Sequence, residues 1–228
     1  MRKDLLILGV VALLVIGGAI YYATASKSPQ PGTTANTNGQ TKPAGLTNEQ
    51  LIKPDSASIG PENAKVTIVE FYDPECEACA AFHPVMKRVM KNYEGRVRLV
   101  MRYMPLHPNS MSAATFIEAA AEQGKYWEAQ EMLFNKQPEW GTKHGPAPAV
   151  PVDINALFRK YAADLGLDAN KMNAAFSENR YAAKINRDKA DGQAVGARQT
   201  PTVYVNGYKL SSLSDAGLKT MIDAELSR

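Results

Sequence analysis

The chain has 228 residues and a formal net charge of +3, a small imbalance that names no partner. No Lys/Arg cluster stands beside aromatic residues in the manner of a nucleic-acid groove, so no nucleic acid is expected as a partner. Its two cysteines are too few for a disulfide-stapled exported scaffold. At the N-terminus, Arg2 and Lys3 precede Leu5–Tyr22, an apolar run without a charge. As a helix it would be about 27 Å long, close to one bilayer core. The basic flank directs the remainder of the chain out of the cytoplasm. Residues 1–25 are therefore read as a transmembrane anchor or, because Ala23-Thr24-Ala25 fits a signal peptidase site, a signal peptide. No cysteine is present there to carry a lipid. Residues 26–57 are rich in Ser, Pro, Thr, Asn and Gly and read as a flexible stalk. Residues 58–228 are enough for one domain with its own core.

Within that domain Val66–Tyr72 reads as a strand. Asp73 and Pro74 read as the cap and first position of a helix whose apolar positions include Phe82, Val85, Met86 and Val89. Val97–Tyr103 is a second strand. Ser110 reads as a cap, and Met111–Asn135 carries helical periodicity broken at Gly124. Pro138–Pro151 is a connection. Asp153 and Asp168 open two further helices, Gly166 ends the first of them, and Glu178–Ala194 reads as another. Thr200–Asn206 is a strand, Asn206-Gly207 a hairpin turn into a short partner strand, and Ser214 caps the last helix. The class is α/β, with an all-helical segment from about 108 to 196 inserted between strands.

Cys76-Glu77-Ala78-Cys79 sits where the first strand hands over to its helix. Unpaired N–H groups at a helix start favour a thiolate over a thiol. A bridge over so short a loop removes little unfolded-state entropy and is a poor staple, so the pair is read as redox-active. Two other readings of the cysteines stay open, a metal site for copper or zinc and a structural pair. His83 would supply only a third metal ligand, and neither His107 nor His144 is placed by sequence as a fourth. Glu70 is a charge in mid-strand. If it points inward under the helix, burial raises its pKa and suits it to carry protons to and from Cys79; otherwise it faces solvent.

The strand–helix–strand, helical block, hairpin and final helix resemble the thioredoxin superfamily, and within it the DsbA-like thiol–disulfide oxidoreductases. The residues that carry the resemblance are Val69–Cys79, Pro105-Leu106-His107, Gly124-Lys125-Tyr126-Trp127 and Thr200-Pro201-Thr202. It implies a thioredoxin-like fold with an inserted helical subdomain, working in the bacterial cell envelope. Cys76 would be the exposed nucleophile and Cys79 the cysteine that resolves the mixed disulfide. Pro201 would be a cis-proline opposite them, and the Thr200 backbone would pair with an extended substrate. The implied partners are proteins with thiols or disulfides and a membrane redox recycling partner, and the Cys76–Cys79 disulfide needs no further cofactor. A redox-inactive binding module on the same fold is the remaining alternative. The family's strong oxidants have a histidine between the cysteines. Here Glu75 and Glu77 flank Cys76 instead and are expected to oppose its thiolate, giving an intermediate or reducing potential.

Overall fold

The computed structural model describes residues 45–142 and 153–228. The apolar run Leu5–Tyr22 lies outside the described residues, as do His144 and most of the Pro138–Pro151 connection. No helix among the described residues is long and apolar enough to cross a membrane.

Five strands form one sheet: β1 (Ser58–Ile59), β2 (Val66–Tyr72), β3 (Val97–Tyr103), β4 (Thr202–Val205) and β5 (Tyr208–Lys209), in the order β1-β3-β2-β4-β5. The central β2 runs parallel to β3 and antiparallel to β4. The parallel pair is joined by α2 (Glu77–Asn92), and α1 (Asn48–Leu51) precedes β1. Between β3 and β4 stand α3 (Ser110–Ala121), α4 (Tyr126–Asn135), α5 (Gln137–Trp140), α6 (Ile154–Asp164), α7 (Ala169–Ser177) and α8 (Ala182–Ala194); α9 (Asp215–Leu226) closes the chain. This is a thioredoxin-like sheet with the expected helical insertion.

All of β2 is buried because both faces of the sheet are covered. Period two then assigns its residues to two cores. Ile68 and Tyr72 join the larger cluster under α2, while Val69 and Phe71 join a smaller one with Leu51, Val100 and Tyr204. Glu70 shares the parity of Ile68 and Tyr72. A carboxylate thus stands in the apolar layer beneath the cysteine helix.

Local signals place most boundaries. Asp153, Asp168 and Ser214 each accept a hydrogen bond from the first turn of the helix they precede. Asn206 and Gly207 both have positive φ, which the hairpin turn between β4 and β5 requires. Gly192 lets α8 close on the sheet, since a Cβ there would lie 2.8 Å from the Phe71 ring.

Four readings need correction. The helix after β2 begins at Glu77 with Cys76 as its N-cap, so Asp73 and Pro74 belong to the preceding turn. Asn109, not Ser110, stands at the N-cap of α3. Helix α8 starts at Ala182, after a turn in which Asn179 has φ of 48°. The segment 45–57, assigned to the stalk, is part of the domain. Leu46 N donates to Gly207 O, Leu51 is buried, and Ala57 O accepts from Met101 N at 2.9 Å. Its polar composition hid this, because one buried leucine, backbone hydrogen bonds and charged partners far along the chain anchor it.

Candidate active site

The parallel register pairs Tyr72 with Tyr103, so the chain leaves β2 and β3 side by side. Two loops must therefore meet there: Asp73–Cys76 from one strand and Met104–Asn109 from the other. The Asp73 carboxylate joins them. It accepts from Glu75 N at 2.8 Å and Leu106 N at 2.7 Å, and lies 2.7 Å from His107 Nδ1. Glu75, also buried, accepts from Asn109 N at 2.6 Å and Asn109 Nδ2 at 2.9 Å. The same carboxylate takes Thr142 N at 2.9 Å and Thr142 Oγ1 at 2.7 Å.

These contacts fix the turn that delivers Cys76 to the start of α2. Both cysteines are free thiols. Cys76 is the more accessible, and its Sγ lies 3.3 Å from Thr200 O, across 124 residues of chain. The Thr200–Pro201 bond is cis, and the antiparallel pairing of Phe71 with Thr202 brings this stretch beside the cysteines. The structure thus brings together Cys76, Cys79, Glu70, Thr200 and Pro201, five residues singled out from the sequence.

The two thiols are electrostatically unequal. A hydrogen bond from the Cys79 thiol, aided by the Thr200 side chain and the N–H groups of Cys79 and Ala78, holds Cys76 down to about 5 against partial burial. Burial pushes Cys79 well above the usual thiol range, and the neighbouring Cys76 and Glu70 push the same way. Glu70 is raised to about 8, first by burial and then by the charge of Cys76. While Cys76 is a thiolate the protonated form of Glu70 is favoured at neutral pH; in a mixed disulfide that charge is gone and the carboxylate forms more readily. The inward orientation of Glu70 is the arrangement that proton exchange with Cys79 requires.

The expected opposition from Glu75 and Glu77 is not what governs Cys76. Glu75 spends its oxygens on Asn109 and Thr142, and Glu77 is exposed on the first turn of α2, where water screens it. His107 stands instead as a nearby cation in the making. Burial disfavours its charged form, but Asp73 outweighs this, and Cys76 and Glu75 add to the rise in its pKa. The part played by Asp73, Glu75 and His107 was missed in the sequence. The available signal was Pro105-Leu106-His107 directly after a strand parallel to the one that leads to the cysteines. Among the described residues no three His, Cys, Asp or Glu side chains converge as a metal-ligand group, and His83 packs against Phe134 with centroids 5.1 Å apart.

A parallel β2–β3 pair, a cysteine pair at the head of the connecting helix and a cis-proline facing it are the arrangement of a thioredoxin fold. The model of the family described as Thioredoxin matches residues 53–224, and the chain belongs to that family. Its fold is similar to that of oxidised BdbD from Bacillus subtilis, with a TM-score of 0.67 and 22% identity over 81% of this chain and 97% of that one. It is similar also to alpha-DsbA1 from Wolbachia pipientis, with a TM-score of 0.69 and 20% identity over 80% of this chain and 96% of that one. These neighbours make the fold DsbA-like. Among curated proteins, one named Na(+)/H(+) antiporter NhaA from Herminiimonas arsenicoxydans is 32% identical over 175 residues, 76% of this chain and 26% of that protein. The chain spans about a quarter of the length of the curated relatives it matches.

Proposed function

We propose that the chain is an envelope thiol–disulfide oxidoreductase that exchanges disulfides with protein substrates through Cys76 and Cys79. The observation that carries this reading is the inequality of the two thiols. Cys76 is the less buried of the two and is held down to about 5, and Cys79 is fully buried and pushed up. Cys76 is the sulfur that shares the mixed disulfide with substrate, and Cys79 displaces the substrate from it. Thr200 O, now 3.3 Å from Cys76 Sγ, lies where the backbone of an extended substrate would pair. Pro201 orients that strand end. Glu70 takes the proton from Cys79 as it attacks and returns it in the reverse direction. The Cys76–Cys79 disulfide is itself the redox group, with no further cofactor in the scheme.

The depressed Cys76 pKa stabilises the reduced form and favours net oxidation of substrates. This favours the intermediate over the reducing end of the range read from Glu75 and Glu77. A thiolate near 5 falls between about 7 for reducing thioredoxins and about 3.5 for the strongest oxidants. The basic-then-apolar N-terminus supports export and attachment to a bacterial membrane, and net oxidation calls for a membrane partner that restores the disulfide. The antiporter name belongs to much longer proteins, and ion transport is not carried over from it.

Two measurements on the full chain test the reading. Equilibration with glutathione should give a potential between about −270 and −120 mV, the range bounded by reducing thioredoxins and the strongest oxidants. Cys79→Ser should accumulate mixed disulfides with thiol-containing proteins, and Cys76→Ser should abolish both. Failure to exchange with any dithiol would overturn the proposal, and stoichiometric copper or zinc on the wild-type thiols would then favour the metal reading.

A further inference from the structure

Glu70 can serve repeated turnovers only if it exchanges its proton with water. One side of it faces the sulfurs, where it feels the charge of Cys76 and its own charge is felt by Cys79. The other side lines a cavity of about 330 Å³ between α2, α4 and the sheet. Most of the wall is apolar, with Met86 and Met90 from α2, Met101 from β3 and Trp127 from α4. At the rim, Lys87 and Glu131 form an ion pair whose side chains are about half exposed, at 53% and 46%. A route from Glu70 to solvent is therefore already present.

His83 lines the same cavity, four residues after Cys79 on α2. Its Nε2 is buried and has no hydrogen-bond partner. An imidazole nitrogen without a partner is costly in a packed core, and the cavity that His83 lines is large enough to hold water. We propose that His83 relays protons between Glu70 and bulk solvent through this cavity. The proposal rests on the reading of Glu70 as the proton partner of Cys79.

The steps balance as one thiol–disulfide exchange coupled to a chain of proton transfers. When Cys79 attacks the mixed disulfide, its S–H proton goes to the Glu70 carboxylate, and the Cys76–substrate S–S bond breaks as the Cys76–Cys79 bond forms. The substrate sulfur leaves with the electron pair. Glu70 then passes its proton through cavity water to the His83 ring, and His83 loses one to solvent at the Lys87–Glu131 rim. When substrate is oxidised the sequence reverses, and Cys79 is reprotonated from solvent along the same path.

The surroundings suit His83 to this use. Burial lowers its pKa, Glu131 on α4 opposes that and Lys87 on α2 adds to it. Lys91 on α2 is the other charged group at the cavity, Glu70 is the group presented by β2, and β3 contributes Leu99 and Met101, which carry no charge. A neutral imidazole both donates and accepts, so it can hand a proton on without holding it.

The test is stopped-flow kinetics on the full chain, following resolution of a glutathione mixed disulfide by Cys79 across pH 5–9. His83→Phe should slow resolution about tenfold, below the 10²–10⁴ typical of a group that acts on reacting atoms. It should flatten the pH profile while leaving the reduction potential and the Cys76 titration in place. His83→Ala should be slow as well and should recover on addition of imidazole, which separates relay from packing. Glu70→Gln should be slow in every background. If Glu70→Gln is slow and both His83 variants keep the wild-type rate and profile, the relay is overturned while the role of Glu70 stands. If Glu70→Gln resolves at the wild-type rate, the reading beneath it fails too. A slow His83→Ala without imidazole rescue assigns the residue to packing and also overturns the relay.

Discussion

Glu70 is the residue whose chemistry departs furthest from its ordinary behaviour. In the folded chain it titrates at about 8, against about 4.5 unfolded, because burial penalises its charge and the Cys76 thiolate repels it. Between those values the folded state holds a proton that the unfolded state has lost. Its contribution to stability is therefore complete below about 4.5, declines as pH rises, and is gone above about 8. Glu70→Gln removes a group that must ionise when buried. In urea unfolding of the reduced protein, the variant should match wild type near pH 4.5 and gain on it steadily to pH 8. The difference should reach a few kcal/mol, since each unit of pKa shift is worth about 1.4 kcal/mol. A constant offset across that range would mean that Glu70 is not the titrating group. The same substitution slows proton transfer, so stability and turnover should move in opposite directions.

At the scale of elements, Glu75 binds the cysteine turn to the insertion. Its carboxylate accepts the N–H groups of both Asn109, the N-cap of α3, and Thr142, just beyond α5. Glu75→Ala removes the acceptor of those part-buried donors, and a hydrogen bond to a charged group is worth about 1.5–3 kcal/mol. Urea unfolding should show a loss of about 3 kcal/mol, with faster hydrogen exchange in the first turn of α3; a loss under 1 kcal/mol would mean that water replaces the carboxylate. This role was not legible in the sequence, and the reason is physical. Val66–Tyr72, Val97–Tyr103, the Asp153, Asp168 and Ser214 caps and the Asn206-Gly207 turn each rest on neighbours within a few residues, so pattern alone reveals them. Cys76, Cys79, Thr200 and Pro201 were legible because their motifs are dense and matched a known family's. What Glu75 and Asp73 do depends on partners more than 30 residues away, supplied by a parallel register that no local pattern states. Read locally, Glu75 was a charge beside a thiol; folded, it is a buried acceptor turned into the insertion.

For the whole molecule the question is what keeps Thr200 opposite Cys76 when the insertion lies between them in the chain. Arg102 on β3 is central to the answer. It is fully buried and lies over the Phe71 ring at 5.4 Å. It donates to Leu51 O at 2.5 Å and to Asp191 at 2.6 Å, and pairs with Asp188 at 2.9 Å. One guanidinium thus ties the N-terminal segment, the central sheet and α8, the last helix before the cis-proline strand. Lys53 also reaches Asp191, at 3.4 Å, so the N-terminal segment is held from two sides. Removing one partner of a buried ion pair leaves an uncompensated charge and costs about 3–5 kcal/mol. Arg102→Met should lose that much in urea unfolding and should expose the Leu51 and Ile52 amides to hydrogen exchange. Adding Asp188→Leu should recover part of the loss by removing the stranded carboxylate; recovery stays incomplete because Asp188 also accepts from Tyr103 N. Cys76 should titrate as before in both variants, while Cys79→Ser on the Arg102→Met background should trap substrate less well. That separation follows from geometry, since the thiolate is set locally at the head of α2 and the substrate edge is set by α8 and β4. A loss under 1 kcal/mol with unchanged exchange would show that the apolar contacts of Leu51 and Phe71 hold the N-terminal segment without the arginine.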